Sequence, residues 1–171
     1  MNFINEQREN IIQNNNTAQK SLAYLLENTN KQTSTIFIKE MLHGDLDLSV
    51  IKEMGFGRLE SIIFREGEIT SIINIPEGII QFECINNLLI NIDKFPASLQ
   101  SINLDNNYIN TIDISYLKKL YLFNISHNKL STIERLPQSL TTLNCENNDL
   151  QRIDLDGSSS LVNLNISNNK I

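Results

Sequence analysis

Apolar and polar residues alternate along most of this chain, in runs too short for helices. From Leu120 to Leu130 the sequence reads LYLFNISHNKL, with Leu120, Phe123, Ile125 and Leu130 apolar and Asn124 and Ser126 between them. A period of two marks a strand with one buried face. Asn128 breaks the series where the next inward residue is due. The same phrase returns as LESIIFREGEI, IIQFECINNLL, LQSINLDNNYI, LTTLNCENNDL and LVNLNISNNKI. The six phrases start at residues 59, 79, 99, 120, 140 and 161, so the period is 20 or 21. Counted from each start, positions 1, 4, 6 and 11 are apolar, and position 9 is Asn in every unit but the first, where it is Gly67.

One unit cannot bury its own apolar edge, so units of this length stack and bury it against each other. Positions 4 and 6 then face inward and positions 3, 5 and 7 outward on parallel strands. About ten residues lead from position 11 to the next strand. That is too few for a full helix and its turns, which predicts an extended or 3-10 return. Pro76, Pro96 and Pro137 suit such a return. At position 9 the chain leaves the strand, and its backbone groups lose their ladder partners. An amide brings donors and acceptors to that turn, which predicts a structural ladder of Asn87, Asn107, Asn128, Asn148 and Asn169.

The pattern L-x-x-L-x-L-x-x-N-x-L from Leu59 to Ile171 resembles the leucine-rich-repeat family. The phrases NIPEG (74–78), KFPAS (94–98) and RLPQS (135–139) are similar to the short bacterial-type repeat, which also occurs in proteins of large DNA viruses. Two units lack the Pro, IDISYLKK (112–119) and IDLDGSSS (153–160), and their returns should differ locally. The resemblance implies an α+β repeat solenoid. Its expected form is a short horseshoe with a parallel β-sheet on the concave face, an extended or 3-10 convex side and an N-terminal helical cap.

At the start of the chain, Phe3, Ile4, Ile11 and Ile12, then Leu22, Leu25 and Leu26, have helical spacing, with QNNNT (13–17) between the runs and Thr17 as an N-cap. This predicts a helical hairpin over 1–34 that caps the first apolar face. Residues 35–58 read as a degenerate first repeat, with Ile38, Met41, Leu48 and Ile51 in phase and Leu46 in place of the Asn. Residues 59–171 hold six repeats, the last incomplete. The final unit stops at position 11, so Leu161, Leu164, Ile166 and Ile171 would form an apolar end. The expectation is either a fragment of a longer chain or a second chain, or a copy of this one, covering that end.

Composition narrows the function. Ile and Asn number 26 and 25 in 171 residues, partly because the repeat places them. The formal net charge of -6 argues against nucleic-acid backbones and anionic membranes as partners. The sequence holds no apolar run long enough to span a bilayer, and its start is not expected to be a signal peptide. Cys84 and Cys145 share the inward position 6, three units apart, too far for a disulfide. Reduced cysteines favour an intracellular or virion setting over a secreted one, though location stays unknown. His43 and His127 stand outside any cluster with metal-ligand spacing. REGE (65–68) and DLDG (154–157) have too few ligands for calcium, GFG (55–57) is a lone turn, and the sequons at 124–126 and 165–167 are read as chance. The expectation is no enzyme, no cofactor and no metal.

The outward columns carry the expected binding surface. Position 5 holds Ile63, Glu83, Asn103, Asn124, Asn144 and Asn165. Position 7 adds Ile85, Asp105 and Glu146, position 3 adds Leu122, and Tyr108 and Tyr121 flank the strands. A polar field with a few apolar and aromatic anchors suits a protein partner. The expected function is a protein–protein interaction scaffold. The alternatives are a structural component of an assembly such as a virion, docking through the C-terminal end, and the N-terminal recognition part of a longer bacterial effector.

Overall fold

The computed structural model describes residues 17–171. The first arm of the expected hairpin, with Phe3, Ile4, Ile11 and Ile12, lies outside them. The second arm is helix α1 over 17–27, which buries Ala18, Leu22 and Leu26, one residue per turn. Gln19 on its flank takes both backbone groups of Asp47, at 2.9 and 3.0 Å. It thereby closes backbone positions that have no preceding unit to pair with.

One parallel sheet of seven strands runs the length of the stack. Its members, in order, are β1 (Thr35–Ile38), β3 (Ser61–Arg65), β5 (Gln81–Ile85), β7 (Ser101–Asn103), β8 (Leu122–Asn124), β10 (Thr142–Asn144) and β12 (Asn163–Asn165). From β3 onward the strands begin at position 3 of each unit, and position 5 of one unit faces position 5 of the next. Behind the sheet lie two columns of core. Ile62, Phe82, Ile102, Phe123 and Leu143 at position 4, with Phe64, Cys84, Leu104, Ile125 and Cys145 at position 6, are all buried.

The return segments are extended, as their length requires, and several pair as well. β2 (His43–Asp47), β4 (Glu68–Ile73) and β6 (Asn91–Ile92) form a three-stranded parallel sheet, and β9 (Thr132–Ile133) pairs with β11 (Arg152–Ile153). The unit from Leu99 contributes no strand to either, so the second layer is interrupted there. That unit is one of the two without Pro. Both make two successive turns, at 115–116 and 118–119 and at 156–157 and 159–160, where the Pro units make one.

The degenerate repeat over 35–58 departs from its expected phase. The register pairs Ile36 with Ile62 and Ile38 with Phe64, so Ile36 and Ile38 occupy positions 4 and 6. Met41 is 60% exposed rather than in the core. The spacing from Thr35 to Ser61 is 26 residues instead of 20 or 21. The surplus forms a short helix α2, Ser49–Glu53, whose Ile51 is buried.

Candidate functional site

The buried amides explain how the strand ends are finished. Asn128 Oδ1 accepts the Ile109 N–H at 2.9 Å, and its Nδ2 donates to Leu104, Ile125 and Ser126 carbonyls at 2.9, 3.2 and 2.9 Å. Ile109 and Leu104 belong to the preceding unit, so each amide ties two units together. Asn107, Asn148 and Asn169 repeat this pattern. Asn87 takes the Ile69 N–H and donates to its own Ile85 carbonyl. Gly67 stands at the same position one unit earlier because a Cβ there would lie 2.7 Å from Asn87 Oδ1.

The outward Asn column also works on the backbone. Asn103, Asn124, Asn144 and Asn165 each accept the N–H two residues ahead through Oδ1, at 3.1, 3.1, 3.2 and 3.1 Å. This is an Asx turn, which competes with the sheet ladder. The consequence is visible in the strands. β3 and β5, with Ile63 and Glu83 at position 5, run five residues, whereas β7, β8, β10 and β12 stop after three at the Asn. Half of each outward amide is therefore committed, which leaves the Nδ2 half to donate elsewhere. Asn144 Nδ2 reaches Ser126 Oγ at 3.4 Å and Asn165 Nδ2 reaches Glu146 Oε2 at 2.9 Å. Position 8 takes a left-handed backbone in each of the six repeats from Leu59, at Glu66, Asn86, Asn106, His127, Asn147 and Asn168, with φ between 53° and 61°. Asn tolerates that region better than most residues. The Asn-Asn pairs were the overlooked signal for it.

The middle row of the concave face runs Phe37, Ile63, Glu83, Asn103, Asn124, Asn144, Asn165. Phe37, 47% exposed, is an aromatic of this row that the sequence hid, because the repeat over 35–58 does not keep the period. Lys39 Nζ and the Arg65 guanidinium carbon lie 5.2 and 5.7 Å from its ring centre. Arg65 also pairs with Glu83 at 2.7 Å, and Gln81 donates to the other Glu83 oxygen. Ile63, Ile85 and Leu122 are half-buried. The exposed tyrosines do not share one patch: Tyr121 precedes β8, while Tyr108 follows the turn after β7, at the opposite strand end. Asp105 Oδ1 accepts Ser126 Oγ and the His127 ring, at 2.7 and 2.9 Å. Asn147 Nδ2 lies 3.0 Å from the other ring nitrogen. His127 is thus held on the rim by two neighbouring units. His43 pairs with Glu68 at 2.9 Å on the flank.

Both cysteines are free and buried. Loss of water around the thiol pushes the Cys84 pKa far up, and pushes that of Cys145 up to about 11, which suppresses the thiolate form. Among the described residues no group of three or more His, Cys, Asp or Glu could hold a metal ion, and no helix is long and apolar enough to cross a membrane.

The architecture defines the class: a leucine-rich-repeat solenoid. The sequence matches no family model and no curated protein. Among solved structures it is similar to YopM, a leucine-rich effector protein of Yersinia pestis, with a TM-score of 0.55 and 20% identity over 66% of this chain and 38% of that one. It is also similar to TLR13 in complex with a single-stranded RNA, with a TM-score of 0.59 and 16% identity over 74% of this chain and 20% of that one. The chain thus spans well under half the length of either. At these identities the likeness shows the fold.

Proposed function

We propose that the chain is a non-enzymatic scaffold that holds a partner protein on its concave sheet. The supporting observation is that the sheet carries side chains the fold does not use for its core. Phe37, Ile63, Ile85 and Leu122 punctuate a field of amides and carboxylates, an anchor-and-rim composition suited to a protein surface. A photo-reactive residue placed at Leu122 should cross-link a partner in the native host. The same residue at Ala97, exposed on a return segment, should not. Equal or stronger cross-linking from position 97 would overturn the reading.

A further inference from the structure

The two ends of the concave face are chemically unlike, and we propose that it takes an extended, cationic polypeptide segment anchored by one apolar residue. This rests on the concave-face reading above and names the partner's chemistry.

At the first end the anchors are Phe37, Ile63 and Ile85, and the nearby carboxylate is already satisfied. Glu83 has one oxygen on Arg65 and the other on Gln81. Further along, the balance reverses. Asp105 and Glu146 both sit at position 7, two strands apart, roughly 10 Å. Among the described residues neither pairs with a Lys or Arg. Among the described residues Asp105 uses only Oδ1, for Ser126 and His127, which leaves Oδ2 to accept. Glu146 receives amide donors, from Asn165 and Asn168. Two half-exposed carboxylates on a chain of net charge -6 attract and orient a cation.

The amides between them fit the rest of the occupant. Oδ1 of Asn103 and of Asn124 is held by its own strand, so the free end of each is a donor. Donors suit peptide carbonyls rather than a second set of cations. The spacing follows from the sheet. Asp105 and Glu146 lie two and four strands from Ile63, roughly 10 and 19 Å. An extended segment covers about 3.3 Å per residue. Its basic residues should therefore fall about three and six residues from the apolar anchor.

The test is selection of a displayed random peptide library on the full 171-residue chain. The expected winners carry Lys or Arg at that spacing from Leu, Ile, Phe or Trp. Affinity of a synthetic winner should fall about tenfold or more in Asp105→Asn combined with Glu146→Gln, and in Ile63→Ser. It should be unchanged in Glu77→Gln on a return turn. Unaltered melting of each variant separates binding from folding. Acidic winners that still respond to Ile63→Ser overturn this inference and leave the scaffold reading standing. Winners insensitive to every concave substitution, or no enrichment, overturn both.

Discussion

Asn124 and Asn128 complete one strand end between them. Asn124 Oδ1 accepts the Ser126 N–H at 3.1 Å, and Asn128 Nδ2 donates to the Leu104 carbonyl at 2.9 Å. By the alternation of a parallel ladder, that N–H and that carbonyl would otherwise bond each other. Two side chains thus replace one backbone bond, which lets the chain leave the sheet without orphaning either group. The unit from Ile79 shows the alternative: Glu83 stands at position 5, pairing runs on through Arg65 and Ile85, and Asn87 makes fewer bonds than the later ladder amides.

Unequal costs follow for the two amides. Asn128→Leu strands the Ile109 N–H in a buried turn and takes one donor from each of the Leu104, Ile125 and Ser126 carbonyls, which keep Asn107 Nδ2, Asn148 Nδ2 and the Asn106 N–H. An unsatisfied buried N–H costs roughly 1–3 kcal/mol and the weakened carbonyls add to it, so a loss of about 2–4 kcal/mol is expected, despite the added apolar surface. Asn124→Leu, at a half-buried site where water can substitute, should cost about 1–2 kcal/mol. Denaturant melts of both and of the double variant decide it. Equal losses, or strict additivity, would contradict a shared role.

The ladder was legible in the sequence because a buried polar residue at a fixed phase has few explanations. The outward amides were harder. Their Asx turns depend on a bond two residues ahead, and nothing in the period distinguishes that from a solvated column. Phe37 was hidden for a different reason. Extra residues folded as α2 lengthen the first unit, and a period cannot be extrapolated across an insertion. The break in the second sheet was foreshadowed only by the missing Pro in IDISYLKK.

Gly67 and Gly57 should respond oppositely to alanine. A Cβ at Gly67 meets Asn87 Oδ1 at 2.7 Å and the Leu42 carbonyl at 3.2 Å, so Gly67→Ala should destabilise by about 1–3 kcal/mol. A Cβ at Gly57 meets nothing within 4 Å, so Gly57→Ala should be neutral or stabilise by up to about 1 kcal/mol. Thermal melts of the pair check this, and a tolerated Gly67→Ala would remove the steric account of the missing first amide.

Thiol chemistry should report unfolding. With the Cys145 pKa pushed up to about 11 and that of Cys84 further, roughly a thousandth or less of either thiol is ionised near pH 8. Burial adds a steric barrier. A disulfide reagent should find almost no native thiol and should modify both in denaturant, at a rate set by opening of the stack. Fast native labelling of Cys145 alone would mean that the last unit opens independently.

Asp113 should contribute to acid sensitivity. The Ser115 hydroxyl and N–H both bond its Oδ1, at 2.7 and 2.9 Å. These bonds, helped by the Lys94 charge and opposed by partial burial, hold its carboxyl below the ordinary carboxylate range. A depressed folded-state value stabilises the fold above the unfolded pKa, about 3.9, and that gain disappears as pH falls through the folded value. Asp113→Asn keeps an acceptor for Ser115 but cannot titrate. Its stability should therefore fall less steeply than the parent's below about pH 4, while near neutrality it should be slightly less stable because the charge-assisted bonds are gone. Parallel acid titrations of the two proteins, followed by circular dichroism, would show the difference, and superimposable curves would assign the acid response to other carboxylates.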